Sequence, residues 1–109
     1  NANLLIDVVD PLEDADSTRY RRFLNELQTH MVNTGSIAVL HAMHGDETPN
    51  RSLTKHMADV VFDLRTDTSG SQIVNRLAIP KFRGGSALEE TIKLKLTDGV
   101  TIDTSRDIA

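Results

Sequence analysis

Two short apolar runs separated by one amphipathic segment constrain this chain more than anything else in it. Residues 3–9 (NLLIDVV) and 36–42 (SIAVLHA) are rich in branched aliphatics and nearly free of alternation, the pattern of strands buried on both faces. Between them Tyr20, Phe23, Leu24, Leu27 and Met31 recur at helical spacing. Asp14, Asp16 and Ser17 suit the positive end of that helix, and Asn33 and Gly35 suit its close. Two strands joined through a helix are predicted to run parallel, as a right-handed βαβ unit. Asp7 then sits near the carboxyl end of the first strand, and His41 and His44 at the end of the second.

The rhythm continues through a polar loop at 44–52 (HGDETPNRS), a short helical segment LTKHM and a third strand at 59–64 (DVVFDL). A turn is predicted at 66–71 (TDTSGS). Beyond it, residues 73–80 and 91–96 alternate and read as antiparallel strands. Asp98 and Gly99 have hairpin-turn chemistry, with residues 100–102 as the returning strand.

Composition removes several classes of function. With 109 residues the chain is long enough for one modest domain at most. No cysteine is present, which excludes disulfides, thiolate catalysis and thiolate metal ligation and fits a cytoplasmic protein. No apolar run approaches the roughly 20 residues of a membrane span. A net charge of −4 argues against bulk phosphate attraction, and one tyrosine with three phenylalanines leaves little for base stacking, so nucleic acid is not an expected partner. The bias toward Asp and Arg hints at a surface kept hydrated in high salt.

In order, NLLID, the amphipathic helix, SIAVLHAMHG, MADVVFDL and RLAIPKFRGG with its TDGVTI hairpin resemble the C-terminal half of a KaiC/RecA-like P-loop ATPase domain, of the archaeal KaiC-like type. RLAIPKFRGG, residues 76–85, is the most specific piece. The resemblance implies an α/β fold, a three-layer RecA-like core represented by its C-terminal half, with parallel strands and crossover helices followed by antiparallel strands. Residues 1–109 would then be a partial domain lacking the Walker A half, because the family's phosphate loop and catalytic glutamate precede the strand with which this sequence opens.

The resemblance also assigns roles. Asp7 takes the Walker B position and would hold Mg2+ through water beside bound ATP, with Asp10 as the alternative if the strand runs longer. His41 occupies the position of the γ-phosphate sensor, where the family more often carries a hydroxyl or an amide. Lys81 and Arg83 match the cations that reach across a subunit interface to a neighbour's γ-phosphate, which implies self-assembly, a hexameric ring in the parent protein. On an extended chain both would point to one face, with Phe82 on the other.

The same residues have plainer readings. Asp7 alone would be a turn or helix-capping acid, and Lys81 and Arg83 a charged edge strand that discourages aggregation. Glu13 reads as part of a solvated acidic approach to the helix, and Arg76 as a surface arginine paired with Asp67. His41, His44 and His56 suit zinc or nickel by chemistry, yet they show no compact ligand spacing. The loop at 44–52 is too short and acidic for strand exchange on DNA.

Three functions compete. The first is the C-terminal portion of an ATPase in signalling or regulation, inactive without a phosphate loop. The second is a non-catalytic oligomerisation or docking module derived from such an ATPase. The last, a sequence-independent nucleic-acid binder, has charge and composition against it. The family places the phosphate-loop strand between the sensor strand and the strand equivalent to DVVFDL, so a gap is expected there, with self-association through the exposed edges.

Overall fold

A computed structural model describes residues 2–85, 91–96 and 99–102. The chain divides into two compact units, Asn1–Met57 and Ala58–Ala109.

The first unit is the expected βαβ crossover. β1 (Leu4–Asp7) and β2 (Ala38–His41) pair in parallel, in the register Leu4 with Ala38 through Asp7 with His41. Both strands are shorter than their apolar runs, and Val9, just beyond β1, is the most deeply buried side chain among the described residues. It starts a one-turn helix, α1 (Asp10–Glu13), which Pro11 opens with its fixed φ. The Asp7–Val8 peptide is cis.

α2 (Ser17–Thr34) begins where the Asp16 carboxylate accepts the Arg19 N–H at 2.9 Å. It ends at Gly35, whose φ of 64° is cheap only for glycine, with the Ser36 N–H returning to the Met31 carbonyl at 2.9 Å. Its inner stripe brings Tyr20 and Leu24 against Val9, with Ile6, Phe23, Leu40, Leu53 and Met57 packed around them. α3 (Pro49–Met57) starts four residues before the LTKHM segment.

Pleating divides the small sheet's side chains. Ile6 and Leu40 turn to this core, while Leu5 and Val39, paired across the strands, remain 66% and 53% exposed on the other face.

The second unit is a four-stranded antiparallel sheet in the order β3 (Val60–Ser69), β4 (Gln72–Phe82), β5 (Ile92–Lys95), β6 (Thr101–Ile102). The turn expected at 66–71 is corrected. β3 runs on to Ser69, and only Gly70 and Ser71 turn, with Gly70 at φ 60°. β-branched Thr66 and Thr68 pair across the ladder with Asn75 and Ile73, and the Thr66 hydroxyl donates to Asn75 Oδ1 at 2.9 Å, so cross-strand contacts outweigh the turn composition. β3 is antiparallel to β4, so parallel pairing is confined to the first unit among the described residues.

Register gives this sheet two chemical faces. Leu64, Leu77 and Ile92 form one cross-strand row, and the neighbouring row Arg65, Arg76 and Lys93 points the opposite way. Every fully buried side chain among the described residues lies in the first unit. In the final hairpin Gly99 has φ 99° and β6 returns antiparallel to β5 as expected; Asp98, like the acids at 89–90, lies outside the described residues.

Candidate functional site

Parallel pairing places Asp7 and His41 side by side at the carboxyl ends of β1 and β2, where ligands collect in open α/β sheets. His41 Nδ1 lies 2.7 Å from Asp7 Oδ1, and the two side chains are 54% and 63% exposed. The backbone beneath them is tied on both sides: Leu4 N–H donates to the Ile37 carbonyl at 2.9 Å and Val9 N–H to the His41 carbonyl at 2.8 Å. The second carboxylate oxygen of Asp7 has no partner among the described residues. One carboxylate with a free oxygen suits a magnesium ion held through water, with most ligands supplied by phosphate and solvent. Among the described residues no group of three or more His, Asp or Glu side chains is placed to cage a metal, so His41, His44 and His56 do not form a zinc or nickel centre there.

Asp10, the alternative magnesium ligand, is otherwise engaged. Its Oδ1 accepts the Met43 N–H at 3.1 Å and its Oδ2 faces Arg51 Nη2 at 3.3 Å.

Glu13 corrects the expectation of a solvated approach: its side chain is only 6% exposed. Arg51 Nε donates to both of its oxygens, at 2.9 and 3.0 Å, and the Thr54 hydroxyl donates to Oε2 at 2.6 Å. Because a carboxylate only accepts, the Thr54 proton points to Glu13, and the Tyr20 hydroxyl, 2.6 Å from Thr54 Oγ1, is then the donor in that contact. Arg51 also donates to the Met43 carbonyl at 2.7 Å, and Asn50 donates to the carbonyls of Glu13 and Ala15, each at 2.7 Å. The network therefore joins α1, the segment following β2 and α3. Burial pulls the Arg51 guanidinium down, but hydrogen bonding and charge from Glu13, with Asp10 and Glu47, outweigh this and hold it above its ordinary value. Sequence reasoning missed this cluster, whose partners lie 38 positions apart.

Tyr20 is an internal reporter of the network. Burial pushes its phenol above the ordinary 10.0, the Glu13 charge raises it further and Arg51 lowers it. A raised folded value means that its contribution to stability is fully present below pH 10, the unfolded value, and is lost as pH rises through the folded one. With one tyrosine and no tryptophan, ultraviolet phenolate absorbance should titrate at higher pH in the native chain than in denaturant. Coincident curves would show Tyr20 to be solvated.

In the second unit the structure alters the reading of the KFRGG segment. Strand β4 ends at Phe82, so the alternation that would place Lys81 and Arg83 on one face does not reach Arg83. Arg83 is in the turn, its N–H donating to the Asp59 carbonyl at 2.8 Å and its Nη1 lying 2.8 Å from Asp59 Oδ1. Both side chains are more than half exposed, which leaves the guanidinium accessible. Gly84 has φ 83°, and a Cβ on Gly85 would come within 2.5 Å of the Phe82 ring, so the tight turn depends on both glycines. Lys81, paired with Val61 in the ladder, is partly buried. Arg76 Nε lies 3.7 Å from Asp67 Oδ2, the surface pairing anticipated for it.

With this geometry in place, comparison with known proteins supplies the fold. The model of a family of unknown function, DUF7125, matches residues 1–109. No curated protein matches the chain in sequence. Among solved structures, a KaiC-like protein from the hyperthermophilic archaeon Pyrococcus horikoshii superposes with a TM-score of 0.71 at 17% identity, over 94% of this chain and 50% of that one. The chain therefore has a mixed α/β, KaiC-like RecA-type fold and spans about half the length of that relative. Among the described residues no helix is long and apolar enough to cross a membrane.

Proposed function

We propose that this chain, which belongs to the DUF7125 family, forms the magnesium-side and neighbour-facing part of an ATP site in a RecA-type assembly. The observation that carries this reading is Asp7: an exposed carboxylate with a free oxygen, at the carboxyl end of a parallel strand, in a KaiC-like fold. There it would hold Mg2+ through water. Lys81 and Arg83 are assigned to a neighbouring subunit's ATP, where their charge favours the transferring phosphoryl group and makes turnover depend on assembly. A phosphate loop would come from polypeptide outside residues 1–109. The pathway would be one of signalling or regulation, within the cytoplasm.

Calorimetry with Mg2+ and ATP tests the reading on the chain alone and on the chain completed by a phosphate-loop-bearing half of a KaiC-like fold. Binding only in the completed form, lost on Asp7→Ala when Mg2+ is required, is the expected result. Absence of binding in the completed form would sink it.

A second reading, a docking or oligomerisation module without catalysis, draws on the uncovered Leu5 and Val39 pair, since parallel sheets normally bury both faces. It takes over if completion yields assembly without nucleotide binding.

A further inference from the structure

We propose that His41 is a positioning residue for Asp7: its Nδ1–H holds the carboxylate in one orientation, so that His41 acts on the magnesium site through Asp7 and not by touching phosphate. This rests on the magnesium reading of Asp7 given above, and departs from a sensor role for His41.

Three observations carry it. The contact is 2.7 Å and links residues that are exact register partners, so strand pairing and not chance rotamers brings them together. The segments that follow both residues are anchored. Val9 N–H holds the His41 carbonyl, Asp10 Oδ1 holds the Met43 N–H, and Arg51 grips Asp10 and the Met43 carbonyl together. Each residue of the pair therefore lies within three positions of an anchored group, which limits the entropy an exposed pair ordinarily loses when it forms. Finally, the hydrogen bond occupies one oxygen of Asp7 and leaves the other open, which selects the oxygen that faces a ligand.

The arrangement specifies a tautomer. In a neutral ring Nδ1 must carry the proton, because the carboxylate can only accept, and Nε2 is left as the acceptor. A histidine donating to phosphate from Nε2 while neutral would need the opposite tautomer. The two roles also respond oppositely to amide replacement. An asparagine amide nitrogen lies near the position of Nδ1, whereas a glutamine amide nitrogen lies near Nε2.

The tautomer is read by ring-nitrogen NMR on the chain itself, and metal binding on the completed form with ATP, with Mn2+ as a paramagnetic stand-in for Mg2+. His41→Asn assigns the His41 signals among the four histidines. Expected are the Nδ1–H tautomer in the neutral ring, its loss in Asp7→Ala, and selective Mn2+ broadening around Asp7. Mn2+ affinity should be preserved within about twofold in His41→Asn and weakened about tenfold in His41→Gln and His41→Ala, as for other residues that orient a metal ligand.

An Nε2–H tautomer, or a signal indifferent to Asp7→Ala, overturns the proposal. So does the reverse order of the amide variants. Absence of Mn2+ broadening at Asp7 in the completed, ATP-bound form overturns the magnesium reading and with it the purpose of the pair, while the tautomer in the chain alone separately reports whether the pair forms.

Discussion

Arg51→Ala is expected to destabilise the first unit by about 3–5 kcal/mol, the usual loss when one partner of a buried ion pair is removed. The side chains of Arg51 and Glu13 are 12% and 6% exposed, so deletion strands a carboxylate where water reaches it poorly. It also releases Asp10 and the Met43 carbonyl, loosening α1 and the segment after β2 together. Urea unfolding followed by helical circular dichroism measures the loss. The pair Glu13→Leu with Arg51→Met should recover most of it, since no buried charge then remains unmatched. A loss below about 1 kcal/mol for Arg51→Ala would mean that the cluster behaves as a solvated surface pair.

Arg83→Ala should do the reverse, sparing stability and abolishing function. Its ion pair with Asp59 is more than half exposed on both sides, and pairs of that kind contribute about 0–1 kcal/mol. Exchanging Asp59 for a phosphate is therefore cheap, and a multiply charged phosphoryl group is the stronger partner. On the reading proposed above, a completed ring assembled from Arg83→Ala chains should bind ATP with near-unaltered affinity and turn over about a thousandfold more slowly, the scale of an arginine finger. Mixed rings would show whether the residue acts on its own subunit or on the next. Unchanged turnover would remove Arg83 from catalysis and leave it as a turn residue tied to Asp59.

The βαβ unit was legible because its determinants are local. Two apolar runs, a stripe of helical period, an Asp16 cap and a Gly35 stop each act within a few residues, and together they fix strand direction. The extent of β3 was not legible, since Thr66 and Thr68 look like turn residues until Asn75 and Ile73 stand opposite. Glu13 was misread for a related reason: a carboxylate beside Pro11 among other acids looks solvated, and only Arg51 and Thr54, brought in by the fold, show it to be buried. Asp7 and His41 were each legible from their places at strand ends, but their hydrogen bond is a product of register. In the KFRGG segment the glycine turn was legible. The end of the strand at Phe82, which separates Arg83 from the alternation of Lys81, was not.

The small parallel sheet has a consequence best stated as valence. β1 pairs only with β2 among the described residues, so within the first unit each strand has one edge outside the ladder, and the two edges face opposite ways. Such an object has two sites for strand addition. If like edges meet across a two-fold axis, each contact is self-complementary and satisfies that edge in a single step. If β1 of one copy meets β2 of the next, every addition exposes a fresh edge identical to the one just covered, and growth ends only when the rotation per step closes a ring. The curvature of that step, and not the strength of any one contact, then decides between a bounded particle and a filament.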